Sequence, residues 1–269
     1  MKAPAKLALA GLVASLAGPL FAFDLQGHRG ARGLLPENTL PGFAATLAIG
    51  VSTLEFDLAL TRDGVVVVSH NPVFEPALAR ADGKWLEQDS APIYSMDLKT
   101  VKTYDVGRLN PAHKYAERYP EQKPVDGTPV PTLGEVFELV EKSTNRQVLF
   151  NIETKINPGK PDLTPTPERF VAAIVETVRE HGMEQRVTLQ SFDWRTLSEV
   201  RRQAPEIRRE HLTVNQRWLS NLQVDQPGAS PWLDGIDVDD FDGSELLFLF
   251  LYDLAFNLLW TRAGPTCFD

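Results

Sequence analysis

The stretch STLEFDLAL, residues 52–60, predicts the architecture of the chain most directly. Apolar and polar side chains alternate along it, which is typical of a β-strand whose two faces meet different surroundings. The even-numbered apolar residues share one face, and Glu55 and Asp57 share the other. Residues 65–70, VVVVSH, follow across an Asp-Gly pair and predict a second strand that forms a hairpin with the first.

Strand and helix patterns alternate along the rest of the chain. Further strands are predicted at residues 147–155, 186–192, 206–214 and 233–240. Helices, each beginning with a capping residue or a proline, are predicted at residues 39–49, 132–142, 167–182 and 193–203. Such alternation indicates an α/β fold with a parallel sheet covered by helices. At this length the closed form is a TIM-type (β/α)8 barrel, and an open doubly wound sheet is the alternative that periodicity leaves open.

Length, cysteine content and charge exclude several classes of protein. The chain of 269 residues is long enough to bury a core without cross-links, and its single cysteine excludes an intrachain disulfide and a zinc site built on a cysteine cluster. The formal net charge is −9, from 27 basic and 36 acidic residues, which opposes binding to a nucleic-acid backbone. Any anionic ligand must therefore be held by a few local positive groups or by a metal ion.

Residues 1–22 are predicted to be a secretory signal peptide. Two lysines precede an apolar run over residues 7–21, and small residues lead to a cleavage site after Ala22. The alternative, a membrane anchor, needs roughly 20 apolar residues, and this run is shorter and interrupted by a Gly-Pro pair. We therefore expect a periplasmic or secreted protein that has no stable membrane span after cleavage.

Two regions interrupt the alternation of strands and helices. Residues 71–131 hold eight of the 20 prolines and several aromatic residues, which indicates an inserted subdomain beside the site or, alternatively, a decorated surface loop. Residues 244–269 form an atypical apolar tail in which strands seven and eight of a barrel are not recognisable. We therefore assign residues 23–243 to the barrel domain and expect a barrel that is incomplete or closes in a divergent way.

Glu55 and Asp57 are the first candidate metal ligands. Spacing of two on a strand places both carboxylates on one face, roughly 6–7 Å apart along the chain. Alternating acids are more often solvent-exposed, but both faces of an α/β sheet tend to be covered, and buried acids repel unless a cation neutralises them. Glu153 adds a third acid at the end of another predicted strand, and Lys155 shares its face. Oxygen-only ligands favour Ca²⁺ or Mg²⁺, and the lysine favours an anion beside the cation.

Residues 27–43, GHRGARGLLPENTLPGF, bring a second set of chemical groups. His28 and His70 each end a strand-like run, and two histidines can serve as general acid and general base near neutral pH, although a lone histidine there is more often structural. Arg29 and Arg32 can bind phosphate through their guanidinium groups. The glycines match neither the Rossmann fingerprint nor the Walker A motif, and no serine lies in a G-x-S-x-G context.

In combination and in order, these motifs resemble the N-terminal signature of the glycerophosphodiester phosphodiesterases of the exported bacterial type. The resemblance rests on His-Arg-Gly, Pro-Glu-Asn-Thr, Glu-x-Asp and Ser-His, followed by PTLGEVFELV, FNIETK and LQSFDW, and it covers about residues 25–240. It implies a TIM barrel with an inserted subdomain after the second strand. It also implies hydrolysis of a glycerophosphodiester to glycerol 3-phosphate and an alcohol such as choline or ethanolamine.

The resemblance also implies roles for individual residues. By position, it assigns acid–base catalysis to His28 and His70 and phosphate contact to Arg29 and Lys155. It assigns the ligation of one divalent cation, Ca²⁺ or Mg²⁺, to Glu55, Asp57 and Glu153. Glu37 belongs to the same signature but receives no role. The implied reaction is attack of the glycerol 2-hydroxyl on phosphorus, which gives a cyclic phosphate that water then opens with the histidine roles reversed.

The resemblance stops near Gly243, where two further strands would close the barrel of the family. This departure motivates a first alternative, a non-catalytic truncated barrel that keeps the site residues. A six-strand remnant would expose sheet edges and part of its core. A second alternative is a related phosphodiesterase that acts on lysophospholipids. Metal-dependent release of glycerol 3-phosphate from glycerophosphocholine, compared with activity on intact lysophospholipid, separates these hypotheses.

Overall fold

The computed structural model describes residues 24–217, 219–223 and 228–236, together with the backbones of two short strands at residues 247–249 and 260–262. The predicted signal peptide, residues 1–22, lies outside the described residues. Helices and strands alternate from residue 24 to residue 213, as the sequence pattern predicts.

The strands are numbered in chain order. They are β1 (Asp24–His28), β2 (Thr53–Leu60), β3 (Val66–Val68), β4 (Arg80–Ala81), β5 (Lys84–Trp85), β6 (Leu149–Thr154), β7 (Val187–Ser191), β8 (Arg208–Thr213), β9 (Asn215–Gln216), β10 (Leu219–Ser220), β11 (Leu247–Leu249) and β12 (Trp260–Arg262). The α-helices are α1 (Leu40–Ile49), α2 (Leu98–Val101), α3 (Leu133–Lys142), α4 (Pro167–Glu180) and α5 (Trp194–Gln203). Short 3-10 helices cover Ile93–Ser95, Ala116–Arg118 and Pro161–Leu163.

One sheet contains all the longer strands, in the order β11-β8-β7-β6-β2-β1-β12, with β3 paired to the end of β2. From β1 through β2, β6, β7 and β8 to β11, neighbours are parallel and follow chain order. A doubly wound sheet reverses its strand order at a switch point, whereas sequential order is that of a TIM-type barrel. The predicted α/β barrel-type architecture is therefore confirmed. β12 pairs with β1 antiparallel, which departs from an all-parallel barrel.

Local signals explain where the helices begin. Thr39 caps α1 by accepting a hydrogen bond from the Gly42 amide, and Thr132 and Glu135 form the reciprocal capping box predicted for α3. Pro167 occupies the first turn of α4, where a missing N–H costs nothing. Asp193 caps α5 through the amide of Arg195. These short-range contacts give the predicted helices their observed starts.

The prediction of a strand at residues 233–240 is wrong at its start, residues 233–235. Asp234 and Gly235 both have positive φ, 54° and 78°, which a β-strand does not accommodate. Leu233 is buried in a small cluster with Trp194 and Trp232. Its apolar character therefore reflects packing in a turn. Residues 237–240 lie outside the described residues.

Every residue of β2 is buried, so both faces of this strand are covered. On the helical side, Leu54, Phe56 and Leu58 belong to the main hydrophobic core, which helices α1, α3 and α4 complete. Aromatic rings meet edge-on there, as in the pair Phe43 and Phe56, whose centroids are 5.2 Å apart. The opposite face of the strand carries Glu55 and Asp57, and these two acids are as enclosed as the apolar residues.

Residues 71–131 contain β4, β5, α2 and two of the 3-10 helices, and they pack around a second hydrophobic cluster that includes Phe74 and Ile93. Asp105 ties this segment together. Its carboxylate accepts hydrogen bonds from the amides of Gly107, Gly127 and Thr128 and forms an ion pair with Arg80. The segment thus has a polar network of its own, and its hydrophobic cluster includes Val67 of β3.

Asp105→Asn is expected to lower the free energy of unfolding by about 2 kcal/mol at pH 7, because the charge that strengthens these hydrogen bonds is lost. Burial opposes ionisation of Asp105, but the amides of Gly107 and Gly127 and the charge of Arg80 hold its pKa below the ordinary value. Stability from a lowered carboxyl pKa is present above the unfolded-state pKa, about 4, and is lost as pH falls through the folded-state pKa. The difference between wild type and variant should therefore narrow toward pH 3.

Urea unfolding at pH 7 and pH 3 measures this difference. Asp162→Asn is the matched control, since Asp162 is an exposed aspartate for which no such hydrogen bonds are described. A difference of equal size at both pH values would contradict the assignment of stability to the Asp105 charge.

Within the predicted tail, residues 244–269, the described backbone consists of β11 and β12. β11 pairs with β8 and β12 pairs with β1, so these two short strands stand at the two ends of the sheet order. The remainder of the tail lies outside the described residues. Across the ranges that the structure describes, every helix is too short or too polar to cross a membrane.

Candidate active site

Three buried carboxylates meet where neighbouring parallel strands end. The register of β1, β2 and β6 pairs His28 with Glu55 and Asp57 with Glu153. One carboxylate oxygen from each of Glu55, Asp57 and Glu153 lies within 4.8 Å of the other two. The cluster follows from strand pairing, because alternate residues of a strand share a face and parallel neighbours align their carboxyl ends.

The charges in this cluster are costly without a cation. Burial raises the pKa of Glu55 to about 8, and the charges of Asp57 and Glu153 contribute to the rise. The pKa of Glu153 is also raised, by burial and by the charge of Asp57. All donor atoms are oxygens, which hard divalent cations prefer. The residues present therefore fit Ca²⁺ or Mg²⁺, held by Glu55, Asp57 and Glu153.

Lys155 borders the same cluster. Its Nζ donates a hydrogen bond of 2.8 Å to Oε1 of Glu153 and lies 3.8 Å from Oδ1 of Asp57. Burial opposes ionisation of Asp57, but His70, Arg29 and Lys155 hold its pKa below the ordinary value. Asp57 is thus the carboxylate that stays ionised most easily, and a positive group stands on each side of it.

Arg29 is held on three sides at the end of β1. Its NH1 donates to Oε1 of Glu37 at 2.9 Å, its Nε lies 3.3 Å from Oδ2 of Asp57, and its backbone N–H donates to Oε2 of Glu55 at 3.1 Å. The residue has a φ of 54°, a left-handed conformation that non-glycine residues adopt mainly where surrounding contacts enforce it. The guanidinium is therefore held beside the carboxylate cluster by Glu37 and Asp57.

Gly27 explains one of the glycines in residues 27–43. A Cβ at this position would come within 2.2 Å of the Thr46 side chain on α1. The glycine lets β1 approach the helix closely and so places His28 and Arg29 at the end of the strand. Arg32, the other candidate phosphate ligand, is directed to His28, whose Nδ1 lies 2.9 Å from NH2 of Arg32.

The two histidines lie on neighbouring elements of the site. His28 ends β1, and its Nε2 is 3.8 Å from Oε2 of Glu55. His70 follows β3, and its Nδ1 is 2.7 Å from Oδ1 of Asn71. Burial lowers the pKa of both rings, and nearby cations lower it further, Arg32 acting on His28 and Arg29 on His70. An anionic ligand beside the two rings would raise their pKa values.

All seven residues that the sequence singled out are brought together in one region. Four further residues support them, and sequence reasoning gave none of these a role in the site: Glu37, Asn38, Tyr115 and Gln190. Asn38 Nδ2 donates to Asp57 Oδ2 at 3.2 Å, and Gln190 Nε2 donates to Glu55 Oε1 at 3.0 Å. The Tyr115 hydroxyl donates to Glu37 Oε2 at 2.6 Å. The alternation of Thr188 and Gln190 on β7 is the one sequence signal that could have indicated the glutamine.

Tyr115→Phe is expected to raise the KM for an anionic phosphodiester about fivefold with little change in kcat, because Glu37 loses the donor that helps it hold Arg29. Tyr119→Phe is the matched control. Tyr115 and Tyr119 flank the same 3-10 helix, Ala116–Arg118, and each substitution removes one hydroxyl. The buried Tyr119 hydroxyl has no hydrogen-bond partner among the described residues. Steady-state kinetics and inhibition by inorganic phosphate measure the effect. Equal KM changes in the two variants would contradict the role of the Glu37 contact.

The chain resembles known proteins over most of its length. Residues 28–236 match the glycerophosphoryl diester phosphodiesterase family. A glycerophosphodiester phosphodiesterase of Caldanaerobacter subterraneus subsp. tengcongensis is 28% identical over 185 residues, which are 67% of this chain and 63% of the relative. One from Bacillus subtilis strain 168 is 29% identical over 185 residues, which are 67% of this chain and 56% of the relative.

A solved structure shows the same fold. The crystal structure of a Silicibacter pomeroyi DSS-3 protein is 40% identical in sequence and superposes with a TM-score of 0.65 over 70% of this chain and 63% of that one. The chain therefore spans less than two thirds of the length of each of these three relatives.

Proposed function

We propose that this chain, which belongs to the glycerophosphoryl diester phosphodiesterase family, hydrolyses glycerophosphodiesters to glycerol 3-phosphate and an alcohol. One observation carries the proposal. A buried cluster of three carboxylates lies beside a fixed arginine, a lysine and two histidines at the carboxyl ends of parallel strands. In TIM-type barrels this end of the sheet is where catalytic groups lie. The arrangement offers every group that a phosphodiester cleavage needs.

Glu55, Asp57 and Glu153 are the residues that would hold a divalent cation, Ca²⁺ or Mg²⁺. When bound, such a cation supplies positive charge that offsets the negative charge on the phosphoryl oxygens. Lys155 is held beside the carboxylates by its bond to Glu153. An anionic substrate would therefore meet the positive charge of the lysine as well as that of the cation. Gln190 keeps the Glu55 carboxylate oriented toward the cluster through its amide.

Arg29 and Lys155 are proposed to hold the phosphate. The guanidinium of Arg29 is anchored through NH1 on Glu37 and lies next to Asp57, so it reaches the cluster with little loss of side-chain entropy on binding. Fixed positive groups of this kind stabilise the negative charge that develops on the phosphoryl oxygens, without reorganisation at the moment of reaction. Tyr115 bonds to Glu37, and Glu37 bonds to Arg29, so these two residues would affect phosphate binding by positioning Arg29.

His28 and His70 are proposed to move the protons. One would take the proton from the glycerol 2-hydroxyl as it attacks phosphorus, and the other would protonate the departing alcohol. Attack forms the new P–O bond of a cyclic phosphate, and the P–O bond to the alcohol breaks. Water then opens the ring, and the two histidines exchange roles. Burial and nearby cations lower the pKa of both rings, and binding of the anionic diester would raise the pKa of the histidine that acts as the acid.

Release of glycerol 3-phosphate from glycerophosphocholine is the test of this function. Purified protein is assayed with added Mg²⁺ or Ca²⁺, with excess chelator, and with lysophosphatidylcholine in place of the diester. We expect release that falls at least about a hundredfold with chelator and that is restored by metal. Cleavage of the lysophospholipid in preference to the diester would favour the second alternative. A cooperatively folded protein without any metal-dependent release would favour a non-catalytic barrel.

We propose in addition that the protein is exported to the periplasm or the medium. The support is the pattern of residues 1–22, two lysines followed by an apolar run and small residues. Cell fractionation of the full chain and of a chain without residues 2–22 tests the proposal. Retention of both proteins in the cytoplasm would contradict it.

A further inference from the structure

A groove extends from the site toward the 71–131 segment. Glu37, Asn38 and His70 form its inner end, and it encloses about 510 Å³ including its open mouth. The groove therefore begins at a proposed proton-transfer group and at the residue that anchors Arg29. When Arg29 holds a phosphate, a substituent on that phosphate that is directed toward His70 would enter this groove.

Glu75 is a half-buried carboxylate that lines this groove. Of the other ionisable groups there, Glu37 has one carboxylate oxygen bound by Arg29 and the other by Tyr115. Arg108 is bound through Nε and NH2 to both carboxylate oxygens of Asp126, so its charge is offset. No lysine or arginine in the described ranges forms an ion pair with Glu75. Burial and the charge of Asp89 raise its pKa, and a hydrogen bond with the Asn71 side chain and the charge of His113 oppose that rise.

The remaining walls of the groove are mostly apolar. Val73, Phe74, Leu78, Val106 and Leu109 line it around Glu75. A carboxylate set among apolar side chains suits a cation that carries methyl or methylene groups, since the charge meets a counter-charge and the carbon atoms meet carbon. A neutral polyol of similar size would instead need several hydrogen-bond partners.

We propose that this groove binds the alcohol part of the diester and that Glu75 gives preference to alcohols bearing a primary or quaternary ammonium group. The inference rests on the proposed function, because it assumes a phosphodiester held by Arg29 and Lys155. The groove determines which alcohol is accepted, and the carboxylate cluster determines that a phosphodiester is cleaved. Glu75 is thus a specificity residue separate from the seven residues that the sequence singled out.

Release of glycerol 3-phosphate from three diesters tests this inference. Glycerophosphoethanolamine and glycerophosphocholine carry a cationic alcohol, and glycerophosphoglycerol carries a neutral one. We expect wild-type kcat/KM to be about tenfold higher for the cationic diesters, and Glu75→Gln to reduce the cationic-to-neutral ratio about tenfold. Glu87→Gln is the matched control, since Glu87 is an exposed glutamate of the same segment that does not line the groove, and it should keep the wild-type ratio.

A second measurement needs no variant. Tetramethylammonium chloride should inhibit wild-type cleavage of glycerophosphoglycerol more strongly than sodium chloride at equal concentration, which controls for ionic strength. An unchanged ratio in folded Glu75→Gln, or equal inhibition by the two salts, would overturn the inference while the proposed function stands. Absence of release from all three diesters by folded wild type would overturn the proposed function and this inference with it.

Discussion

Glu55→Gln is expected to lower kcat/KM for a glycerophosphodiester by about a thousandfold while leaving the metal-free protein at least as stable as wild type. The loss follows from removing one of three carboxylates that would hold the cation. The stability follows from charge. Burial beside Asp57 and Glu153 raises the pKa of Glu55 to about 8, so an ionised carboxylate is costly there. Glutamine cannot ionise, and its side-chain oxygen can still accept a hydrogen bond from the Arg29 amide.

Two measurements separate these effects. The thermal unfolding temperature of wild type should rise when Mg²⁺ or Ca²⁺ is added, since a ligand that binds the folded state stabilises it, and the variant should show little rise. Glu138→Gln is the matched control, because Glu138 is an exposed residue of α3 whose ion pair with Lys142 contributes little. A variant with the same metal-induced rise as wild type would remove Glu55 from the ligand set.

The fold was predictable wherever short-range signals decide structure. Alternation in residues 52–60 predicted β2, and the Thr132 and Glu135 pair predicted the start of α3, because each signal acts within a few residues. The same reasoning failed at residues 233–240. Apolar spacing there resembles a strand, but Asp234 and Gly235 have left-handed backbone conformations, and the sequence gives no local measure of the packing that enforces them.

The site was predictable to the extent that strands place it. Glu55 and Asp57 lie on alternate positions of β2, and Asp57 pairs with Glu153 of β6, so sheet geometry alone brings the three acids together. The supporting contacts were not predictable in this way. Tyr115 bonds to Glu37 across 78 positions of sequence, and Gln190 bonds to Glu55 across 135. Such contacts depend on how distant elements pack, and hydrophobic periodicity carries no information about that.

The two histidines should respond differently to the leaving group. His28→Asn and His70→Asn are each expected to lower kcat for glycerophosphocholine by about a thousandfold, within the range that a general acid or base contributes. A p-nitrophenyl ester of glycerol phosphate releases a phenolate, a much weaker base than an alkoxide, so its departure needs no proton. The variant that lacks the acid should therefore regain most of its rate of p-nitrophenolate release in the first turnover, and the variant that lacks the base should not.

His181→Asn is the control, since His181 follows α4 and contacts Phe137 in the helical layer, away from the carboxylates. Rescue of exactly one of the two site variants would assign the acid and the base by experiment. Rescue of both, or of neither, would contradict a mechanism in which each histidine handles a separate proton. Because the groove that contains Glu75 begins at His70, rescue of His70→Asn would also place the departing alcohol on the groove side of the phosphate. The leaving-group experiment and the alcohol-preference experiment are thus two independent tests of whether the departing alcohol lies in this groove.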